Sequence, residues 1–198
     1  TYQLWKVNGI ETITTTVLPN WSRVIDLYYT RNSYNYVLTT SLGSVTTWSA
    51  PTGTYYYWAE VVLSGDVSSD CFMWSWWNIE WANLQNNMKK TSFIMPANDV
   101  SAESSVTEKS YNIVFVGNWS TSWEMATLTG VMCREVIDLP VNAFKKTGYT
   151  FSWWSTIIDW VKEYDDSQSV HTLTTWNNVT VDLYALWDIN HYQVQWQN

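Results

Sequence analysis

Four acids gather in one short stretch of the chain, Asp159, Glu163, Asp165 and Asp166. Carboxylates this close are hard oxygen donors of the kind calcium takes, but the ligand spacing and the glycine of an EF-hand loop are missing, so a solvated acidic loop is the stronger reading. His171 and His191 lie far apart, and neither has a His or Cys companion at ligand spacing, so they propose no metal site. A pair of carboxylates is the chemistry of glycoside hydrolysis, yet no acid recurs in a buried aromatic context along the chain. Cys71 and Cys133 fall at non-equivalent positions of the repeat described below, which suggests neither a repeated disulfide nor a metal site. Asn20-Trp21-Ser22, Asn118-Trp119-Ser120 and Asn178-Val179-Thr180 match the N-glycosylation acceptor pattern. On these grounds no catalytic, cofactor-binding or metal-binding residue is assigned, no cofactor is expected, and the residues of any ligand site stay unnamed.

The elements that must position such residues recur. Gly148-Tyr149-Thr150-Phe151-Ser152-Trp153-Trp154 returns in degraded form as Cys71-Phe72-Met73-Trp74-Ser75-Trp76-Trp77, 77 residues earlier. Ser33-Tyr34-Asn35-Tyr36-Val37 matches Ser110-Tyr111-Asn112-Ile113-Val114 at the same offset, and His191-Tyr192-Gln193-Val194 opens a third copy 81 residues on. The lead-in Ile25-Asp26-Leu27-Tyr28-Tyr29 precedes the first start, and Val181-Asp182-Leu183-Tyr184-Ala185-Leu186-Trp187 the third. The boundaries read as a partial unit at 1–32, a diverged repeat domain at 33–109, a second repeat domain at 110–189 and the start of a further repeat at 190–198. The parent protein is expected to be longer. Modules in series usually serve as spacers or contact surfaces rather than as enzymes.

Composition narrows the partners. A net charge of −8 with only 10 Lys and Arg argues against nucleic acid and against anionic membrane surfaces, because no basic run exists to release counterions. No apolar run approaches the roughly 18 to 20 residues that span a bilayer, so no membrane insertion is expected in this segment, and Thr1 opens a polar stretch without the features of a signal peptide.

Within each repeat the pattern is that of strands. Tyr34, Tyr36 and Leu38 alternate with Asn35, Val37 and Thr39, as Tyr111, Ile113 and Phe115 do with Asn112 and Val114, the period of a half-buried strand. Further β-rich stretches run over 55–63 and 131–139, then 72–77 and 149–154, with a closing strand at 179–187. Their Val, Thr, Tyr and Trp favour pleated packing. Polar loops fill 41–53 and 117–130. Asn142 to Lys146, after Pro140 and before Gly148, is the best place for a short helix.

Taken in order, Ser110-Tyr111-Asn112-Ile113-Val114-Phe115, Glu135-Val136-Ile137-Asp138-Leu139-Pro140, Lys146-Thr147-Gly148-Tyr149-Thr150-Phe151-Ser152-Trp153-Trp154 and Val181-Asp182-Leu183-Tyr184-Ala185-Leu186-Trp187 strongly resemble the Listeria/Bacteroides repeat, also called the internalin B repeat. The match covers 110–189 nearly end to end. Unit 33–109 is similar as a diverged copy, with Met95-Pro96-Ala97-Asn98-Asp99-Val100 looking like the family's lead into its last strand. Residues 1–32 look like the C-terminal part of a similar repeat or of a mucin-binding-type module. The resemblance implies a mostly β or α+β chain of tandem, small β-grasp-like domains with at most one short helix each, on a bacterial surface or secreted protein. The family brings no catalytic residues with it.

Tryptophan is the anomaly: 16 Trp stand against 7 Gly, although Gly makes up about 7% of an ordinary chain. Trp76 and Trp153 stand where the resembled family keeps Gly before its core Trp, and Trp58 stands in a Tyr-Gly position. Trp21, Trp119 and Trp160 follow Asn or Asp where Asn-Gly or Asp-Gly makes a turn. Three readings compete: exposed aromatics that touch a ligand, neutral drift, or glycine positions at which tryptophan stands through a one-base codon difference. The third is preferred, and it expects Trp21, Trp119, Trp153 and Trp160 to be exposed, at turns, or at backbone angles suited to glycine. Trp77, Trp154 and Trp187 fall on the family's aromatic positions and are expected in the core, each indole N–H tied to a backbone carbonyl. Tyr149, Phe151 and Leu183 are expected to join the core of the second unit.

Two functions follow as expectations. The first is a non-enzymatic structural or adhesive segment, a stalk or spacer on an extracellular, cell-surface or secreted protein; its partners are neighbouring repeats of the same chain, with host or cell-surface glycans or proteins as weak contacts. The alternative is a carbohydrate-binding module using exposed aromatics, which should place them at equivalent positions in both units.

Overall fold

The computed structural model describes residues 2–4, 29–80, 84–121, 124–158 and 161–196. Most of the segment 1–32, together with Trp5, Trp21, Trp81, Trp123, Asp159 and Trp160, lies outside the described residues, so the expectations on Trp21 and Trp160 go unanswered. Among the described residues the chain is all β, with no helix. Near the start β1 (Tyr2–Leu4) pairs antiparallel with β2 (Tyr29–Arg31). The chain forms two compact units, one of 1–68 with 74–107, which includes β1 and β2, and one of 69–73 with 108–198.

The first unit carries β3 (Ser33–Thr40), β4 (Ser44–Thr46), β5 (Gly53–Tyr56), β6 (Glu60–Val67), β7 (Phe72–Ile79), β8 (Leu84–Asn86), β9 (Lys90–Ile94) and β10 (Val100–Glu108), except that Phe72 and Met73 of β7 and Glu108 of β10 fall in the second. They form a sheet in the order β5-β3-β10-β7-β8 and a smaller one in the order β4-β6-β9. The central pair β3 and β10 is parallel, with Tyr36 opposite Val100 and Thr40 opposite Ser104. Parallel neighbours need a crossover, ordinarily a helix; here strands β4 to β9 make it. Tyr36, Val61, Leu63, Trp77, Phe93 and Met95 meet in its core.

The second unit carries β11 (Ser110–Val116), β12 (Leu128–Met132), β13 (Val136–Asp138), β14 (Tyr149–Ser155), β15 (Ser169–His171) and β16 (Val179–Ile189). Its main sheet runs β12-β11-β16-β14, beside a two-stranded β13-β15 ribbon. The centre is again a parallel pair, β11 on β16, with Ile113 opposite Val181 and Phe115 opposite Leu183. The alternation read in Tyr111, Ile113 and Phe115 holds, since all three are buried while Asn112 and Val114 are half-buried. In both units the first strand is flanked by an antiparallel partner, β5 or β12, and the last strand by the aromatic-rich strand, β7 or β14.

The short helix expected at Asn142 to Lys146 is absent. Asn142 turns its side chain onto its own backbone: Oδ1 accepts from Phe144 N at 3.0 Å and Nδ2 donates to Phe144 O at 3.2 Å, a local alternative to helical hydrogen bonds. Phe144 is buried, its ring 6.1 Å from that of Trp154. The β-rich runs over 55–63 and 131–139 are each broken by a tight turn, closed by Ala59 N donating to Tyr56 O at 2.9 Å and Glu135 N to Met132 O at 3.0 Å.

Candidate functional site

Within the second unit the aromatic positions sort cleanly by side-chain role. Trp154 is fully buried, edge-on to Phe115 at 5.1 Å and tilted against Phe151 at 5.0 Å. Leu183 and Trp187 complete this core, and Phe151 is half-buried against it. Tyr149 departs from the expectation: 37% exposed, it lies under the Lys146 ammonium, which sits 4.4 Å from its ring centre. Its strand begins at the edge of the core, and a cation over the ring face holds it at the surface. The Trp187 N–H donates to Gly117 O at 3.0 Å and that of Trp77 to Lys89 O at 3.3 Å, as expected for core indoles. The Trp154 N–H, buried, has no hydrogen-bond partner among the described residues. A β-bulge between Phe151 and Trp153 shifts the pairing of β14 on β16, which is why the Trp154 ring points inward beside an already filled register.

Two open grooves border this scaffold. In the second unit Asn118, Trp119, Lys146, Tyr149, Ile158 and Trp187 line one of about 390 Å³. In the first, Tyr57, Trp58, Ile94, Met95 and Pro96 line one of about 400 Å³. Each holds an exposed tryptophan at a turn, but one sits where β11 leaves for β12 and the other between β5 and β6. They are not equivalent places, so these two grooves do not repeat one glycan site across the described residues. Neither groove brings a carboxylate pair or an imidazole to its lining. The surfaces offer ring faces and a few hydrogen-bonding groups, which suits stacking rather than bond cleavage.

The described acids of this stretch, Glu163, Asp165 and Asp166, are engaged by neighbouring groups. Thr156 donates its backbone N–H and its hydroxyl to the Glu163 carboxylate, Lys162 Nζ pairs with Asp165, and Asn142 N donates to Asp166 Oδ1 at 2.8 Å. His171 is exposed on β15, its Nδ1 3.4 Å from Thr172 Oγ1, and His191 is exposed beyond β16. Among the described residues no group of three His, Cys, Asp or Glu side chains is placed to hold a metal.

Cys71 and Cys133 form a disulfide with each other, a single bond that their non-equivalent places in the repeat did not announce. Both belong to the second unit, Cys71 on the short segment 69–73. The backbone of Lys109 lies between them, its N–H donating to Cys71 O at 2.8 Å and its carbonyl accepting from Cys133 N at 2.8 Å, which brings the two Cα atoms to 5.4 Å, within the bridging range. The Arg134 guanidinium covers the Phe72 ring beside it at 5.4 Å. Non-equivalence within the repeat concealed the pair. The remaining signal was arithmetic, two cysteines and no others.

Several phenols titrate away from their ordinary range. Burial, with Tyr55 beside it, pushes the Tyr36 hydroxyl well up. Burial also raises Tyr111 and Tyr164, the latter further through Glu163 and Tyr111. Asp66 is held below the usual carboxylate range by hydrogen bonds from Lys89 and from Val67 N.

The class these features define is a chain of compact all-β units without a recognisable reaction centre among the described residues. No family model matches the chain. It is similar, at 28% identity over 108 residues, to a protein of Evansella cellulosilytica named "Putative Gly-rich membrane protein"; the match takes in 54% of this chain and 12% of that relative's length.

Proposed function

We propose that this chain is a non-enzymatic structural and adhesive segment of a large bacterial cell-surface or secreted protein, a stalk or spacer built from tandem β-grasp-like repeats of the internalin B type. The observation that carries the reading is the recurrence, in two units, of one arrangement: a parallel central pair with an antiparallel strand on one side and a Trp-bearing strand on the other. Units of this kind in series hold a distal part of a polypeptide at a distance, and their neighbours in the chain are their first partners. The disulfide supports an oxidising, extracytoplasmic setting. The similarity to a much longer membrane protein supports a place in the cell envelope within a longer polypeptide.

Antibodies raised against this chain should label intact cells of the host, and protease added outside should remove the label. Labelling only after lysis would defeat the proposal. A second reading, a carbohydrate-binding module, is favoured by the groove that Lys146, Tyr149 and Trp187 line. Saturable binding of the chain to a glycan array, lost in Tyr149→Ala, would move that reading to first place.

A further inference from the structure

We infer that positions 58 and 119 are built for glycine, and that the polypeptide made by its natural host carries glycine at both. The inference starts from the turns. Among the described residues five tight turns close with the fourth residue's N–H on the first residue's carbonyl and hold a positive φ at the third residue. Ser41–Ser44 closes at 3.1 Å and Lys146–Tyr149 at 3.1 Å, with Gly43 at φ 92° and Gly148 at φ 80° in the third place. Tyr56–Ala59 closes at 2.9 Å and Gly117–Ser120 at 3.1 Å, with Trp58 at φ 69° and Trp119 at φ 67° in the same place. A fifth such turn, Asp165–Gln168, has the small Ser167 there at φ 56°.

Only the third residue is positive in the Tyr56–Ala59 turn, the pattern of a type II turn, which asks for glycine at that place. In the Gly117–Ser120 turn both central residues are positive, Asn118 at φ 45° and then Trp119, the pattern of a type I′ turn, whose preferred pair is Asn-Gly. A bulky side chain in this region brings its Cβ against the following carbonyl, so each tryptophan works against the turn that contains it.

Burial does not offset that cost. Trp58 is 64% exposed and Trp119 is 84% exposed. Of the described tryptophans, Trp77, Trp154 and Trp187 fill the cores, Trp74 and Trp153 are half-buried, and Trp48, Trp58, Trp76, Trp119, Trp176 and Trp196 are exposed. With 16 Trp and 7 Gly in the chain, an exchange in one direction accounts for the surplus of one and the deficit of the other. UGA, a triplet that some translation systems read as tryptophan and others as glycine, is one base from an ordinary codon of each and would make that exchange. The exposed indoles at 58 and 119 then belong to the reading of the gene and not to a ligand platform.

The test is mass spectrometry of the protein purified from its natural host, on peptides spanning positions 58 and 119, with recombinant chain carrying tryptophan at both positions as reference. The expected native peptides carry the residue mass of glycine at both positions. Tryptophan mass at both overturns the inference. Stability gives a second, independent measurement. In recombinant chain Trp58→Gly and Trp119→Gly should each raise the folded-to-unfolded ratio by about threefold or more, after allowance for the freedom glycine adds to the unfolded chain, while Trp58→Ala and Trp119→Ala, which keep a Cβ at positive φ, should gain less. Glycine variants no more stable than the alanine variants also overturn it.

Discussion

Two indoles of one core should respond oppositely to the same truncation. Trp154 and Trp187 both pack in the second unit, yet Trp187 donates its N–H to Gly117 O at 3.0 Å while the buried Trp154 N–H has no partner among the described residues. Exchanging either for phenylalanine empties roughly 40 Å³, which at about 24 cal/mol per Å³ costs about 1 kcal/mol. Trp187→Phe also forfeits a hydrogen bond worth about 1 kcal/mol, giving a loss of about 2 kcal/mol. Trp154→Phe instead removes an orphaned donor whose desolvation costs about 1 to 3 kcal/mol, so the change is neutral or stabilises by up to about 2 kcal/mol. Trp154→Ala, which empties the site between Phe115, Phe144 and Phe151, should lose about 3 to 5 kcal/mol. Because two units need not unfold together, the assay is native-state hydrogen exchange of the intact chain, read by mass spectrometry on peptides covering the central pair β11 and β16. A gap of at least about 2 kcal/mol between the two Phe variants appears as a roughly 30-fold or greater difference in protection. Equal losses in both would refute the reasoning, since they would mean the Trp154 N–H is served in the folded state.

Reducing the Cys71–Cys133 bond releases a closure of 62 residues and should destabilise the chain by up to about 4 kcal/mol on the chain-entropy account, seen as a lower melting temperature in reductant and in Cys133→Ser. Alkali should weaken the fold: Tyr36, Tyr111 and Tyr164 have raised folded-state pKa values, so their contribution is intact below the unfolded phenol's pKa of about 10 and is lost as pH rises above it; urea midpoints from pH 8 upward should fall there, less so in Tyr36→Phe. Gly65→Ala should cost about 1 to 3 kcal/mol, measured by thermal melting, because the added Cβ would meet the Trp74 ring at 2.6 Å and the Trp77 ring at 2.9 Å.

Periodicity and the aromatic repeat located part of the strands, while β4 lies in the stretch 41–53 that reads as a polar loop. The alternation of Tyr111, Ile113 and Phe115 and the recurrence of aromatic motifs 77 residues apart placed β11, β7 and β14 and put Trp77, Trp154 and Trp187 in cores, because burial on one face of a pleated strand leaves a two-residue imprint that no distant contact is needed to read. Turn chemistry was legible for the same reason: Asn118-Trp119 announced a positive-φ turn through its first residue, and Trp119 sits at φ 67°. Trp153 was legible only in part. It lies half-buried in β14 rather than exposed, though its buried indole N–H lacks a partner among the described residues.

Tertiary structure decided the rest. Pro140 and Gly148 bracket a plausible helix, but whether Asn142 bonds its own backbone depends on Phe144 being drawn toward Trp154, a contact made across the fold. The disulfide rests on Lys109 seating Cys71 and Cys133 on either side of its peptide, a relation between segments 62 residues apart that leaves no local pattern. Tyr149 went to the surface because the start of β14 lies at the rim of the core beside Lys146, although its type and place in the motif matched those of its buried neighbours. Local pattern fixes what a residue's own strand or turn requires; which side chains share a core, a bond or a groove is set only when distant strands come into register.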